Sequence, residues 1–343
     1  MRQLLNTLFV TSEDIYLSLD GENVVAYREN TVVARYPLHT LSAILSFSYK
    51  GASPALMGAC CTRGISLTFC TPRGKFLARA TGEANGNVLL RRTQYRVADD
   101  MFQSCRIARC MVFGKVYNAR WCVERIKRDH GMRVDEQALT QTSQKLKDLL
   151  PQIAEESDLD SLRGLEGTAA TLYFGAFSQM ILGDANLFAF SGRSRRPPRD
   201  PINALLSFAY SLLSHDCASA LESVGLDSYV GFLHRDRPGR SSLALDLMEE
   251  LRPCMADRFV LSLVNNRMLK ASDFEWRESG GVYLKDEARR LFLSKWQERK
   301  KESITHPFLN EKLPWGLVSY VQALLLARYL REDLDAYPPF LWK

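Results

Sequence analysis

"GNVLLRRTQYRVADDMFQSCRIARCMVFGKVYNARWCVERIKRDHG", residues 86–131, is where the chain changes its period. From Gly86 onward apolar residues recur every three or four positions, the repeat of helices that each bury one stripe. Ahead of it the chain reads in twos. "DIYLSLDGENVVAYRENTVVARYPL" (14–38) holds short β-rich runs separated by the turn signals "DGEN" and "REN". "ISLTFC" (65–70) and "FLARATG" (76–82) continue the pattern, and "PALMGACCTRG" (54–64) reads as a short helix between strands. The expectation is an α+β protein with a small N-terminal β-rich domain followed by a larger all-α domain. The boundaries fall at 1–85 for the β domain, 86–100 for the linker and start of the first long helix, and 101–343 for the helical domain.

The helical part carries its own punctuation. In "RDPINALLSFAYSLLSHDCASALESVG" (199–225), Asp200 is a good N-cap, Pro201 fits the first turn and Gly225 is a stop. "KLPWGLVSYVQALLLARYLRED" (312–333) is a second apolar-striped helix, and "DFEWRESGGVYLKDEARRLFL" (273–293) inserts a hairpin before a basic helix. No internal repeat is present.

Hydrophobic residues at 46% and charged residues at 24% describe an ordinary globular protein. The net charge of +6 permits an anionic partner without requiring one. No run of about 18 apolar residues occurs, so no membrane contact is expected. The start does not read as a signal peptide. The eight cysteines form no C-x-x-C pair and two are adjacent, which speaks for reduced thiols in the cytoplasm.

Two stretches carry acids in unusual company. On a helical wheel of "LRGLEGTAATLYFGAFSQM" (162–180), Glu166 falls amid the apolar stripe of Leu162, Ala169, Ala170, Tyr173, Phe177 and Met180. A carboxylate there needs a compensating cation. It is either an edge residue paired with Arg163 or part of a site. In "FLHRDRPGRSSLALDLMEELRP" (232–253), His234 precedes a helix whose Asp246, Glu249 and Glu250 lie opposite Leu243, Ala244, Leu247, Met248 and Leu251. Such a face is ordinarily solvated. Combined, a stranded acid, a loop histidine and two acids at i and i+3 suit Mg2+ or Mn2+. Arg193, Arg195, Arg196 and Arg199 in "SGRSRRPPR" and Arg235, Arg237 and Arg240 in "HRDRPGR" suit a phosphate ester.

"LRGLEGTAATLYF", "RRPPRDPINALLSFAYSLL" and "GLDSYVGFLHRDRPGRSSLALDLMEELRP" together, in this order and spacing, resemble the CRISPR-associated integrase family, the metal-dependent nucleases of spacer acquisition. The "LALDLMEELRP" form looks most like the type I-C branch. The resemblance implies Glu166, His234 and Glu249 as ligands of Mg2+ or Mn2+, with Asp246 assisting; relatives often carry aspartate where this chain has Glu249. It implies a 3′-hydroxyl of incoming double-stranded DNA attacking a repeat phosphodiester, with the arginines holding the backbone. It also implies homodimers formed through the β domain, flanking a dimer of a small ferredoxin-fold partner in a heterohexamer. The competing expectations are a non-catalytic DNA-binding assembly protein with a structural metal, and a structure-specific repair nuclease.

Overall fold

The computed structural model describes residues 6–71, 76–82 and 88–343. It divides into two units: the described part of Met1–Asn85 together with Arg289–Lys301, and the described part of Gly86–Ala288 together with Glu302–Lys343. Residues 83–87, where the sequence puts the change of period, lie outside the described residues.

In the first unit β1 (Asn6–Val10) is followed by an antiparallel meander of β2 (Ile15–Asp20), β3 (Asn23–Arg28) and β4 (Thr31–Pro37). The "DGEN" and "REN" turns join its strands, with Gly21 at φ 57° and Glu29 at φ 53°, left-handed conformations that tight hairpins require. β5 (Leu41–Ser46), α1 (Pro54–Thr62) and β6 (Ser66–Cys70) form a parallel crossover, and β7 (Phe76–Ala80) closes a sheet of order β1-β5-β6-β7. The core of this unit gathers Leu17, Val24, Leu38, Ile44, Leu56, Cys60 and Leu67, all fully buried. β4 buries none of its residues.

The second unit is mostly helical. The opening stretch becomes α2 (Val88–Asp99) and the long α3 (Met101–His130), divided where the Asp100 side chain accepts from the amides of Phe102 and Gln103. α4 (Glu136–Glu155), α5 (Leu159–Ala176) and α6 (Pro201–Ser223) follow. Asp158 caps α5 and Asp200 caps α6 with Pro201 in its first turn. α7 (Ser242–Leu251) runs into a π-helical turn at Arg252–Asp257 and then α8 (Arg258–Asn265). The hairpin of β8 (Phe274–Trp276) and β9 (Val282–Leu284) precedes α9 (Asp286–Lys301), whose residues from Arg289 on belong to the first unit. A second hairpin, β10 (Ser303–Thr305) with β11 (Lys312–Pro314), precedes α10 (Val318–Leu330).

The chain after α10 is anchored by side chains distant in sequence. Trp342 donates its amide to Asn118 Oδ1 at 2.8 Å, while Asn118 Nδ2 donates to the carbonyls of Glu250 and Phe340. The indole of Trp342 lies against the guanidinium groups of Arg125 and Arg258, 4.0 and 4.7 Å from the ring centre. Among the described residues no helix is long and apolar enough to cross a membrane.

Candidate metal centre

Three helices and one loop converge on a group of buried charges. α3 supplies Lys115, α5 supplies Glu166, α7 supplies Glu249 and the loop before α7 supplies His234. α3 approaches α7 closely because residue 114 is glycine: a Cβ there would stand 2.9 Å from Glu250 Cβ. That approach brings the next residue, Lys115, onto the acids. Its ammonium pairs with Glu166 Oε1 and lies 2.7 Å from Glu249 Oε2, with the lysine side chain only 12% exposed and that of Glu249 3%.

His234 is held by Asp246. Asp246 Oδ2 accepts from the amides of Phe232 and Leu233 at 2.6 and 2.9 Å, and Oδ1 accepts from the His234 amide at 3.0 Å. Oδ1 also meets His234 Nδ1 at 2.5 Å. An ionised carboxylate only accepts, so Nδ1 carries the proton and Nε2 keeps a free lone pair. Nε2 faces Glu249, 4.0 Å from Oε1. Gly231 makes this cradle possible: a Cβ there would stand 2.7 Å from Asp246 Oδ2.

Glu249 is surrounded by positive charge. Burial by itself would raise its carboxyl pKa, but Arg252 and Lys115 outweigh that and hold it below the usual carboxylate range. Arg252 reaches Oε1 at 3.0 Å from one turn along, with its guanidinium over the Tyr210 ring. Oε2 is buried and has no aligned hydrogen bond, although the Lys115 ammonium is near. Among the described residues no three His, Cys, Asp or Glu side chains close to ligand spacing. The Lys115 ammonium stands between Glu166 and Glu249. The donor set nevertheless fits a hard divalent cation. It offers two carboxylates and an imidazole nitrogen left bare by its partner, with one oxygen of the buried Glu249 carboxylate met only by the Lys115 ammonium.

The structure departs from several sequence expectations. The acids of α7 are not solvated: Asp246, Glu249 and Glu250 are all buried. Arg163 does not pair with Glu166; it donates to the Leu233 carbonyl and pairs with Asp160 at 2.5 Å. Arg193 separates from the other arginines of its loop. Its guanidinium bonds Asn203 Oδ1 and lies over the rings of Phe174 and Tyr210, so it packs inside the fold. Arg195, Arg196 and Arg199 are exposed, as are Arg235 and Arg237, and Arg240 is half-buried. Arg235 pairs with Asp160 at 3.0 Å. The loop is tied to β9, since the Pro198 carbonyl accepts from the Val282 amide at 2.8 Å.

Lys115 and Arg252 escaped the sequence reading. A signal existed for Lys115, which sits among the buried Met111, Val112, Val116 and Ala119 of α3, as Glu166 does on α5.

Comparison with known proteins adds a family. The chain matches the family described as CRISPR associated protein Cas1 over residues 8–298. It is 52% identical to "CRISPR-associated endonuclease Cas1 2" of Rhodospirillum rubrum, with 100% of each chain covered. A solved "Casposase bound to integration product" superposes with TM-score 0.83 at 22% identity, covering 99% of this chain and 95% of that one. A "Cas6-RT-Cas1--Cas2 complex" chain gives 0.81 at 23% identity, covering 100% of this chain and 36% of that one. At such identities the two solved structures speak for the fold alone.

Proposed function

This chain belongs to the Cas1 family of CRISPR-associated proteins, and from that premise we propose how it acts: as a DNA endonuclease and integrase that inserts spacer DNA into the repeat array. The observation that carries the assignment of its chemistry is the free Nε2 of His234, fixed by Asp246 and facing the buried carboxylate of Glu249.

Glu166, His234 and Glu249 would hold Mg2+ or Mn2+, which when bound would polarise a phosphodiester and lower the pKa of the attacking hydroxyl. Asp246 orients the imidazole and has both oxygens occupied by backbone and ring N–H groups, so Glu249 rather than Asp246 is the ligand from α7. Arg252 fixes the rotamer of Glu249 through Oε1, and Lys115 stands at Oε2. A 3′-hydroxyl of the incoming fragment displaces a 3′-oxygen of the repeat at phosphorus, one ester forming as another breaks. Arg195, Arg196, Arg199, Arg235, Arg237 and Arg240 grip the DNA backbone; they set position and not sequence.

Residues 1–85 form the β domain that makes the homodimer, for which Val32, Val33 and Tyr36, at 48, 46 and 41% exposure on β4, offer apolar surface. The partner is a small ferredoxin-fold protein of the Cas2 kind, giving a heterohexamer, and the "LALDLMEELRP" segment supports the type I-C branch. The place of action is the cytoplasm. The test is joining of 3′-hydroxyl DNA to a repeat by the purified protein with its partner in Mg2+ or Mn2+. Binding without joining or cutting would leave an assembly protein; cutting without joining, a repair-type nuclease.

A further inference from the structure

We propose that Lys115 is the resident counter-ion of this centre: its ammonium stands between Glu166 and Glu249 where a divalent cation has to bind, and its displacement sets how tightly that cation is held. The inference rests on reading Glu166, His234 and Glu249 as ligands.

Three observations carry it. The ammonium touches one oxygen of each acid, from α5 and from α7, in a pocket where both carboxylates need neutralising. The backbone under Lys115 is fixed, because the neighbouring Gly114 leaves no room between α3 and Glu250. Only the four-carbon stem is free to swing, and that stem is flexible. Finally, Lys115 stands 2.7 Å from Oε2, whereas Arg252 takes the other oxygen of Glu249, so the lysine alone holds the position that a divalent ion would take there.

Arg252 makes the contrast. Its planar guanidinium is tied to Glu249 Oε1 and stacked over Tyr210, so it stays in place while Lys115 leaves. The exchange removes one positive charge and brings in two. The cost of ejecting Lys115 lowers the apparent affinity for the ion and keeps the acids apart and neutralised until it arrives.

The test is Mn2+ titration of the whole chain, without DNA, read by electron paramagnetic resonance in wild type and Lys115→Met. The variant is expected to bind Mn2+ about tenfold or more tightly. Its metal-free unfolding temperature falls below that of wild type, and Mn2+ raises it by more. A second measurement needs only wild type: amine acylation mapped by mass spectrometry, in which saturating Mn2+ raises labelling of Lys115 severalfold and leaves Lys127 unchanged. A folded Lys115→Met that binds Mn2+ no more tightly than wild type overturns the proposal, as does labelling of Lys115 unmoved by the metal. Wild type that takes up no Mn2+ removes the ligand reading itself, an outcome distinct from uptake that Lys115 does not influence.

Discussion

Glu249 and Glu250 are neighbours on α7, both buried, and the two sides of the helix treat them in opposite ways. Glu249 meets cations, Lys115 and Arg252, and keeps an oxygen with no aligned donor. Glu250 meets neutral donors and lacks none: Tyr337 Oη and Gln322 Nε2 donate to Oε1, and the Phe340 amide donates to Oε2 at 2.7 Å. Burial pushes the Glu250 carboxyl up to about 7 against the lowering effect of those hydrogen bonds, whereas the cations hold Glu249 down. A buried acid with cations and an unfilled lone pair is arranged for chemistry. One whose every oxygen is filled by neutral donors is arranged for architecture.

The sharpest way to break this contrast is to remove each side chain in turn. Glu166→Ala, His234→Ala and Glu249→Ala are expected to lower strand transfer on the order of 10²-fold or more while the chain stays folded. Glu250→Ala reverses the pattern. It strands three donors and lowers stability by about 3–5 kcal/mol, freeing the segment after α10 to protease. Urea unfolding and limited proteolysis beside a strand-transfer assay read both; equal activity loss with equal stability in Glu249→Ala and Glu250→Ala removes the distinction.

Asp246→Asn comes next, with a loss of about 10–100-fold, because it disturbs the orientation of His234 without removing a ligand. Near-normal activity in Glu249→Ala with abolished activity in Asp246→Asn would reverse their roles.

The pH dependence of stability sharpens the comparison further. Glu250 has a folded pKa of about 7 against an ordinary 4.5. Between those values the native state holds a proton that the unfolded chain releases, so this residue's contribution makes stability fall as pH rises through that window. The full effect is about 3 kcal/mol at most. Glu249, with its pKa depressed, contributes stability above the ordinary value and loses it only as pH falls through its folded pKa. Urea midpoints of wild type and Glu250→Gln from pH 5 to 8 are expected to diverge in slope, the variant declining less. Asp257, raised by burial to about 6, is common to both and cancels.

The smallest effect is expected at the arginine loop. Replacing Arg195, Arg196 and Arg199 by alanine is expected to shrink the log–log salt slope of DNA binding by about one for each phosphate left without its arginine. Arg193→Ala, by contrast, is expected to lower stability with little change in slope, since its guanidinium holds Asn203 and two aromatic rings. An unchanged slope in the triple variant means the loop does not touch DNA.

The sequence made Glu166 readable because a carboxylate amid Leu162, Ala169 and Tyr173 is anomalous on any wheel. Lys115 is the same anomaly on α3 and was easier to miss, because a lysine stem is apolar and its presence on a stripe excites no suspicion. The α7 acids misled the wheel for another reason. Two-sidedness assumes one face meets water, but α3, α6 and α10 pack around α7 and the segment at 337–342 covers what is left. That cover comes from residues some ninety positions downstream, a distance over which periodicity says nothing about proximity. The β-first, helix-second layout was legible because its periods and turn residues are local; Arg252 was not, because only the fold aims it at Glu249.

The anchoring of Tyr337, Phe340 and Trp342 on Glu250 and Asn118 has a consequence in time. During synthesis α3, α5 and α7 emerge long before the segment that completes their packing. Until residues 337–342 have left the ribosome, Glu250 has neither the Tyr337 hydroxyl nor the Phe340 amide, and Asn118 Oδ1 lacks the Trp342 amide. The burial of Glu250 is therefore completed only some ninety residues of synthesis after Glu250 itself emerges.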